Sequence, residues 1–157
     1  MKKLKIYLET TVFNWYFETE RVFHTETVRL FEEIAEGKHE AFASQYVIDE
    51  LTEASEPRLS QTLSLLEQYP IIVLNASQEA EDLAQAYAEY KAISPKHRFD
   101  RLHLACAVIN GLDAVISFNF SHINRVWTQD KVDAVNQLMG YNRIRINQPA
   151  GVISNGE

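Results

Sequence analysis

The sequence predicts an α/β fold in which helices cover both faces of a mostly parallel sheet. Short apolar segments alternate with longer segments of helical periodicity along the 157 residues, and this alternation is typical of strand–helix–strand units. Apolar segments such as 71–74, with the sequence IIVL, have the composition of strands that are buried on both faces. We therefore expect a single domain over residues 1–147 and a flexible tail over residues 148–157.

Five strands and seven helices account for most of the chain. The predicted strands cover residues 4–8, 41–43, 71–74, 114–118 and 143–146. The predicted helices cover residues 12–16, 25–36, 45–54, 57–68, 78–92, 100–110 and 129–139. The first strand alternates in hydrophobicity, and the second helix carries Val28, Phe31 and Ile34 at helical spacing, so periodicity supports both assignments.

Capping residues define several of the predicted helix boundaries. Ser44, Ser77 and Thr128 precede helical patterns and are suited to accept hydrogen bonds from the first free backbone N–H groups. Pro57 is suited to the first turn of the fourth helix. Gly111 ends the sixth helix, which is almost wholly apolar after its first turn.

Composition narrows the class of protein. The net charge of −7 argues against a broad basic surface for nucleic acid, although it leaves room for a nucleic-acid enzyme with a local basic patch. The lone Cys106 excludes an internal disulfide and fits a reducing compartment. No apolar stretch approaches the length of a membrane span, so we expect a cytoplasmic protein with no membrane contact.

Four polar residues occupy positions that their local patterns do not explain. Glu9 and Asn119 follow the first and fourth predicted strands, and in parallel sheets ligands bind beyond the carboxyl ends of strands. Glu50 falls within the apolar arc of its helix, where a carboxylate is costly unless it is paired, protonated or bound to metal. Asp100 opens the apolar sixth helix, as an N-cap, a metal ligand or both.

These four side chains offer oxygen ligands and no sulfur. That donor set suits Mg²⁺ or Mn²⁺ better than zinc and predicts metal-dependent hydrolysis of a phosphodiester. Structural alternatives exist, because Glu50 could form an ion pair with an Arg or Lys and Asn119 alone would be a turn residue. His103, on the apolar sixth helix, is predicted to be a hydrogen-bonded core residue rather than a ligand.

Short motifs around these residues resemble the PIN-domain ribonucleases, including the toxin nucleases of VapC-type toxin–antitoxin pairs. The similarity covers roughly residues 4–146. It depends on 6–11 (IYLETT), 44–51 (SQYVIDEL), 100–105 (DRLHLA) and 113–124 (DAVISFNFSHIN). Each motif is short, and their order and spacing are specific only in combination.

The resemblance implies a three-layer α/β/α sandwich and Mg²⁺- or Mn²⁺-dependent cleavage of RNA. Its metal-binding and catalytic positions correspond to Glu9, Glu50, Asp100 and Asn119. It also implies a homodimer and a cognate antitoxin protein as partner. Two positions depart from the family pattern, since the first acid is usually Asp and the fourth position is often Asp, whereas this chain has Glu9 and the uncharged Asn119.

Residues near the predicted site are candidates for substrate binding. Arg98 and Arg101 flank Asp100 and could form a local basic patch, with solvated loop residues as the alternative. Thr10 follows Glu9 and could orient carboxylates or touch substrate, and His122 could contact phosphate near the metal.

Two other functions are consistent with the same residues. The chain could be a PIN-fold binding or scaffold protein that has lost catalysis, as the departures at Glu9 and Asn119 suggest. It could also be a metal-dependent hydrolase of DNA or of small phosphodiesters. The five glycines cannot form a G-x-G-x-x-G motif or a P-loop, and the sequence contains no G-x-S-x-G, C-x-x-C or H-E-x-x-H. The enzyme classes that depend on these motifs are therefore excluded.

Overall fold

The computed structural model, which describes residues 3–154, contains a five-stranded parallel sheet with the strand order β3-β2-β1-β4-β5. The strands are β1 (Leu4–Leu8), β2 (His39–Ser44), β3 (Ile71–Leu74), β4 (Ala114–Ile116) and β5 (Arg145–Asn147). Every neighbouring pair is parallel. The α/β fold with a parallel sheet is therefore confirmed.

Seven helices connect and cover the strands. They are α1 (Thr10–Tyr16), α2 (His24–Ala35), α3 (Gln45–Glu53), α4 (Arg58–Gln68), α5 (Gln78–Glu89), α6 (Arg98–Ile109) and α7 (Val126–Leu138). Ile6, Tyr7 and Leu8 are fully buried on the central strand β1. Because successive side chains point to opposite faces of a sheet, both faces are covered. Among residues 3–154, no helix is long and apolar enough to cross a membrane.

Helix α6 is the most deeply buried of the helices described here. All eight residues from Arg101 to Val108 are buried, so α6 packs on several sides, as its nearly continuous apolar sequence predicts. Its N-terminal turn carries Asp100, and this places the predicted acidic residue at a fixed position beside the sheet.

The start of α7 differs from the sequence prediction. The helix begins at Val126, two residues before the predicted cap, and Arg125 occupies the N-cap without a capping side chain. Thr128 therefore lies inside the first turn, where its hydroxyl donates to the backbone carbonyl of His122. Thr128 fastens the preceding loop instead of capping the helix.

The segment after β5 is held against α2 as far as it is described. Residues 149–151 form a turn of 3-10 helix, and the backbone N–H of Ala150 donates to Glu26 at 2.7 Å. The N–H of Ser154 donates to Glu33 at 2.8 Å. The predicted flexible tail thus starts in an ordered segment because two carboxylates of α2 accept its backbone N–H groups, and residues 155–157 lie outside the described residues.

The buried Glu33 carboxylate makes the stability of the fold pH-dependent. Burial raises the pKa of Glu33, but hydrogen bonds from Ser154 and His39 outweigh it, so the net pKa lies below the ordinary value. A lowered folded-state pKa gives stability that is present above the unfolded pKa and lost as pH falls through the folded pKa. We expect Glu33→Gln to cost about 1–3 kcal/mol at neutral pH and progressively less below about pH 4.5.

Urea unfolding at neutral and acidic pH measures this effect. Glu32→Gln is the matched control, because Glu32 is the exposed neighbour on the same helix. A cost of Glu33→Gln that is the same at both pH values would contradict the assignment.

Candidate functional site

Three adjacent strands bring predicted site residues to one edge of the sheet. The central strand β1 lies between β2 and β4, and Glu9 directly follows β1 while Ser117 directly follows β4. Ser44 ends β2 and caps α3 by accepting a hydrogen bond from the N–H of Tyr46. Helix α3 therefore begins at this edge and carries Glu50 beside Glu9.

Glu9 is held by hydroxyl groups from two segments. Its side chain is buried, and its Oε1 accepts hydrogen bonds from Thr11 at 2.5 Å and from Ser117 at 2.7 Å. Both hydroxyls are themselves fixed, since Thr11 accepts from the N–H of Phe118 and Ser117 accepts from the N–H of Asn119. The loop after β4 and the start of α1 thus set the orientation of this carboxylate together.

Glu50 is positioned by a chain of buried polar side chains. Its Oε1 accepts from the Thr10 hydroxyl at 2.6 Å and lies 2.8 Å from His103 Nε2. The other ring nitrogen of His103, Nδ1, lies 2.6 Å from the Tyr7 hydroxyl, which is 2.6 Å from the Ser44 hydroxyl. His103 is fully buried and hydrogen-bonded, in agreement with its predicted core role, but it also contacts a predicted site carboxylate.

Hydrogen bonding between His103 and Glu50 shifts the pKa values of both groups toward their charged forms. Burial opposes ionisation of both partners, yet their mutual hydrogen bond and attraction raise the pKa of His103 and lower that of Glu50. Burial raises the pKa of Glu9, and the nearby His103 only partly offsets it. Burial is the main cause that raises the pKa of Asp100. The nearby His103 opposes this shift, and the charge of Glu50 adds to it. Burial therefore disfavours the ionised forms of Glu9 and Asp100.

Asp100 and Asn119 face one another across the loop after β4. The side-chain amide nitrogen of Asn119 lies 3.3 Å from Asp100 Oδ1, while its amide oxygen accepts from the N–H of His122 at 2.9 Å. The sequence predicts that the amide oxygen of Asn119 binds a metal, whereas here this oxygen accepts a backbone hydrogen bond. Because that oxygen closes the turn over residues 119–122, the amide nitrogen of Asn119, which is a donor, points at Asp100.

The ligand-bearing side chains form two neighbouring groups rather than one. Within residues 3–154, groups of three whose ligand atoms all lie within 4.8 Å of one another are Glu9, Glu50 and His103, and then His97, Asp100 and His122. The structure thus brings Glu9 and Glu50 together directly. Asp100 lies close enough to act on the pKa of His103 but belongs to the second group.

The three carboxylates share a pattern that suits a cation. Glu9 and Glu50 each use Oε1 for the protein hydrogen bonds described above, and Asp100 uses Oδ1. Among the described residues, no hydrogen bond reaches the second oxygen of any of them. Carboxylates anchored through one oxygen and free at the other can bind a metal ion with little reorganisation. The donor set therefore fits a hard divalent cation.

Two of the four predicted substrate-binding residues are buried and hydrogen-bonded within the protein. Arg101 is buried, and its guanidinium donates to the backbone carbonyls of Ala84 and Pro95, so it ties α6 to α5 and does not face the site. Thr10 is also buried and is committed to Glu50. Their predicted role in substrate binding stays a prediction, and in this structure Arg101 binds backbone carbonyls while Thr10 positions a carboxylate.

Of the remaining two predicted residues, His122 lies beside Asp100, whereas Arg98 contacts Glu81 and Phe99. Arg98 is exposed and pairs with Glu81 at 3.1 Å, and its side chain also lies over the ring of Phe99. His122 is half-buried beside Asp100. Both remain candidates for contact with a substrate phosphate.

Sequence reasoning did not identify His103 and Ser117 as site residues. His103 follows Asp100 by three positions, which places both on the same side of a helix, and this spacing was the available signal. Ser117 offered no comparable signal, because a serine after a strand is common in turns.

Comparison with protein families gives one match. The sequence model described as the PIN domain matches residues 6–126. No curated protein sequence matches the chain significantly.

Comparison with solved structures shows the same fold at low sequence identity. VapC20 of Mycobacterium tuberculosis, described as a toxin that cleaves the Sarcin–Ricin loop, is 14% identical with a TM-score of 0.53, over 73% of this chain and 89% of that one. VapBC2 of Rickettsia felis, bound to a DNA fragment from its promoter, is 13% identical with a TM-score of 0.57, over 92% of this chain and 98% of that one.

Proposed function

This chain belongs to the PIN domain family, and on that basis we propose that it is a Mg²⁺- or Mn²⁺-dependent endoribonuclease. Glu9, Glu50 and Asp100 hold the metal in this proposal, and Asn119 assists by fixing Asp100. The observation that carries the proposal is the shared state of the three acids, each anchored through one oxygen and free at the other. Such carboxylates without a matching set of lysines or arginines are expensive unless a cation joins them.

The residues of the chain prepare the site for hydrolysis. Thr11 and Ser117 orient Glu9, and Thr10 and His103 orient Glu50. A divalent cation held by these carboxylates would supply the Lewis acidity and charge neutralisation that cleavage of a phosphodiester requires.

Substrate and partners follow from the family and from the surface charge. The net charge of −7 disfavours tight general binding of RNA, so recognition depends on a few local groups such as Arg98 and His122. As with the VapBC2 complex of Rickettsia felis, we include a cognate antitoxin among the partners. A homodimer and a cytoplasmic location complete the proposal.

A second candidate function, a PIN-fold binding or scaffold protein without catalysis, is favoured by one observation. His103 already pairs with Glu50 at 2.8 Å, and Asn119 presents an amide donor where a fourth carboxylate would increase metal affinity. If this alternative holds, Mn²⁺ leaves the thermal stability unchanged and the protein cleaves no nucleic acid.

A substrate panel separates the ribonuclease from a hydrolase with other substrates. Purified protein with Mn²⁺ is incubated with single-stranded RNA, single-stranded DNA of the same sequence and a small phosphodiester. The ribonuclease proposal requires cleavage of RNA in preference to the other two. Cleavage of DNA or the small ester at an equal rate would assign the wider phosphodiesterase activity.

Metal binding is tested separately from cleavage by Glu50→Gln. In the parent, saturating Mn²⁺ should raise the melting temperature by about 5–10 °C, because a ligand at 100 times its Kd adds about 2.7 kcal/mol and each kcal/mol is worth roughly 2–4 °C at this size. Glu50→Gln should abolish most of this shift. Glu53→Gln, an exposed acid on the same helix, should keep it, and a shift retained in Glu50→Gln would exclude Glu50 as a ligand.

A further inference from the structure

Two histidines converge on Asp100 from different parts of the chain. His97 precedes α6 by one residue and lies three positions before Asp100, while His122 lies in the loop between β4 and α7. Their rings stack with centroids 3.8 Å apart and planes 29° from parallel. One ligand atom from each of the three side chains lies within 4.8 Å of the other two.

The nitrogens of these two rings are uncommitted. Within residues 3–154, neither His97 nor His122 makes a side-chain hydrogen bond, and both are half-buried. The other three histidines are engaged: His103 with Tyr7 and Glu50, His39 with Glu33, and His24 with the carbonyl of Trp15. The two imidazoles without a hydrogen bond are therefore the two that lie beside Asp100, the carboxyl whose pKa is raised by burial.

The backbone around His122 is fixed from both sides. Its N–H donates to the amide oxygen of Asn119, and its carbonyl accepts from the Thr128 hydroxyl at 2.9 Å. Asn119 also reaches Asp100 through its amide nitrogen. The residue that departs from the usual acidic pattern thus connects Asp100 with the loop that carries the imidazole of His122.

We propose that His97, Asp100 and His122 form a second divalent-metal site, distinct from the Glu9–Glu50 group and selective for ions that prefer imidazole, with Zn²⁺ as the favoured ion. Two imidazoles and one carboxylate are a common zinc donor set, and three protein ligands leave a fourth position open. Mg²⁺ prefers oxygen donors and binds weakly to such a site. The free Oδ2 of Asp100 faces no protein donor among the described residues, so Asp100 can serve this site while Asn119 holds Oδ1.

This site is independent of the proposed ribonuclease activity, because binding of Zn²⁺ requires no substrate and no catalysis. It shares only Asp100 with the proposed Mg²⁺ or Mn²⁺ site. Failure of one proposal is therefore measurable without failure of the other.

Titration calorimetry with Zn²⁺ tests the proposal in the parent protein and four variants. We expect one high-affinity Zn²⁺ per chain that excess Mg²⁺ does not displace. His97→Gln and His122→Gln should each weaken this affinity by more than the roughly 10–100-fold that loss of a group supporting a ligand costs. Glu50→Gln and the matched control His24→Gln should leave it within about twofold.

A measurement on the unmodified protein guards against variants that fold poorly. With ¹⁵N-labelled histidine, Zn²⁺ should shift the ring-nitrogen resonances of His97 and His122 and leave those of His24 and His39 unchanged. Zn²⁺ binding that shifts only His103 and is abolished by Glu50→Gln would overturn the proposal, because the ion would then lie in the Glu9–Glu50 group. Affinity that is unchanged in both histidine variants would overturn it as well.

Discussion

Asp100→Asn is expected to reduce metal-dependent RNA cleavage by roughly 10²–10³-fold, the loss that follows removal of one electrostatic group from a reaction centre. The substitution keeps the shape of the side chain and the oxygen that accepts from Asn119, but it removes the negative charge that a divalent cation requires. Asp100 belongs to the group of His97, Asp100 and His122 and also lies near Glu50. The metal affinity of both proposed sites should therefore fall.

The stability of Asp100→Asn should stay the same or rise. Burial raises the pKa of Asp100, which means that the charged form is less favourable in the folded protein than in the unfolded chain. A neutral isostere removes this cost. Active sites commonly show such an exchange of stability for function.

The comparison is made on RNA cleavage at saturating Mn²⁺, with melting curves recorded in a chelator. Asp130→Asn is the matched control, since Asp130 is an exposed acid on α7, and it should retain parental activity. Cleavage by Asp100→Asn at the parental rate would remove Asp100 from the proposed site.

The sequence was sufficient for the architecture because its strands and helices differ clearly in periodicity. β1 and β3 have the predicted bounds, and the serine caps at Ser44 and Ser77 accept hydrogen bonds from their helices as expected. Boundaries were less accurate where a residue suited to a helix cap makes a different contact. The start of α7 was placed at Thr128 because threonine is a good cap, whereas the structure uses its hydroxyl to fasten the preceding loop.

The candidate site was only partly predictable for a physical reason. The inward orientation of Glu50 follows from helix periodicity, since 3.6 residues per turn fixes which side chains share a face. The partner of Glu50 does not follow, because periodicity along one helix contains no information about which residue of another helix it meets. His103 was therefore expected to be a hydrogen-bonded core residue, and its contact with Glu50 required the three-dimensional arrangement.

Arg101 shows the limit of inference from adjacent residues in the sequence. Its position next to Asp100 suggested a basic patch, but adjacent residues on a helix point about 100° apart. In α6 that rotation directs the guanidinium toward the carbonyls of Ala84 and Pro95. Sequence proximity to a predicted site residue is therefore weak evidence for substrate contact when the helix is buried on all sides.

The second large effect is expected on stability, from His103→Leu in metal-free protein. The variant leaves the Glu50 carboxylate without its positive partner and the Tyr7 hydroxyl without the ring nitrogen that it contacts. Removing one member of a buried ion pair costs about 3–5 kcal/mol, and because the side chain of Glu50 is 30% exposed, we expect the lower end, about 3 kcal/mol. At 2–4 °C per kcal/mol, the melting temperature should fall by about 6–12 °C.

A double-mutant cycle in chelator identifies the cause of this loss. If His103 stabilises the fold by offsetting the charge of Glu50, then His103→Leu should cost less in a Glu50→Gln background than in the parent, with a coupling of about 1–3 kcal/mol. Tyr7→Phe is the smaller reference change, at about 1 kcal/mol for one hydroxyl. Additive losses in the cycle would show that His103 acts independently of Glu50, through packing and its contact with Tyr7. Coupling would instead show that the interaction of His103 with Glu50 stabilises the fold, and that a bound metal must act beside this interaction or replace it.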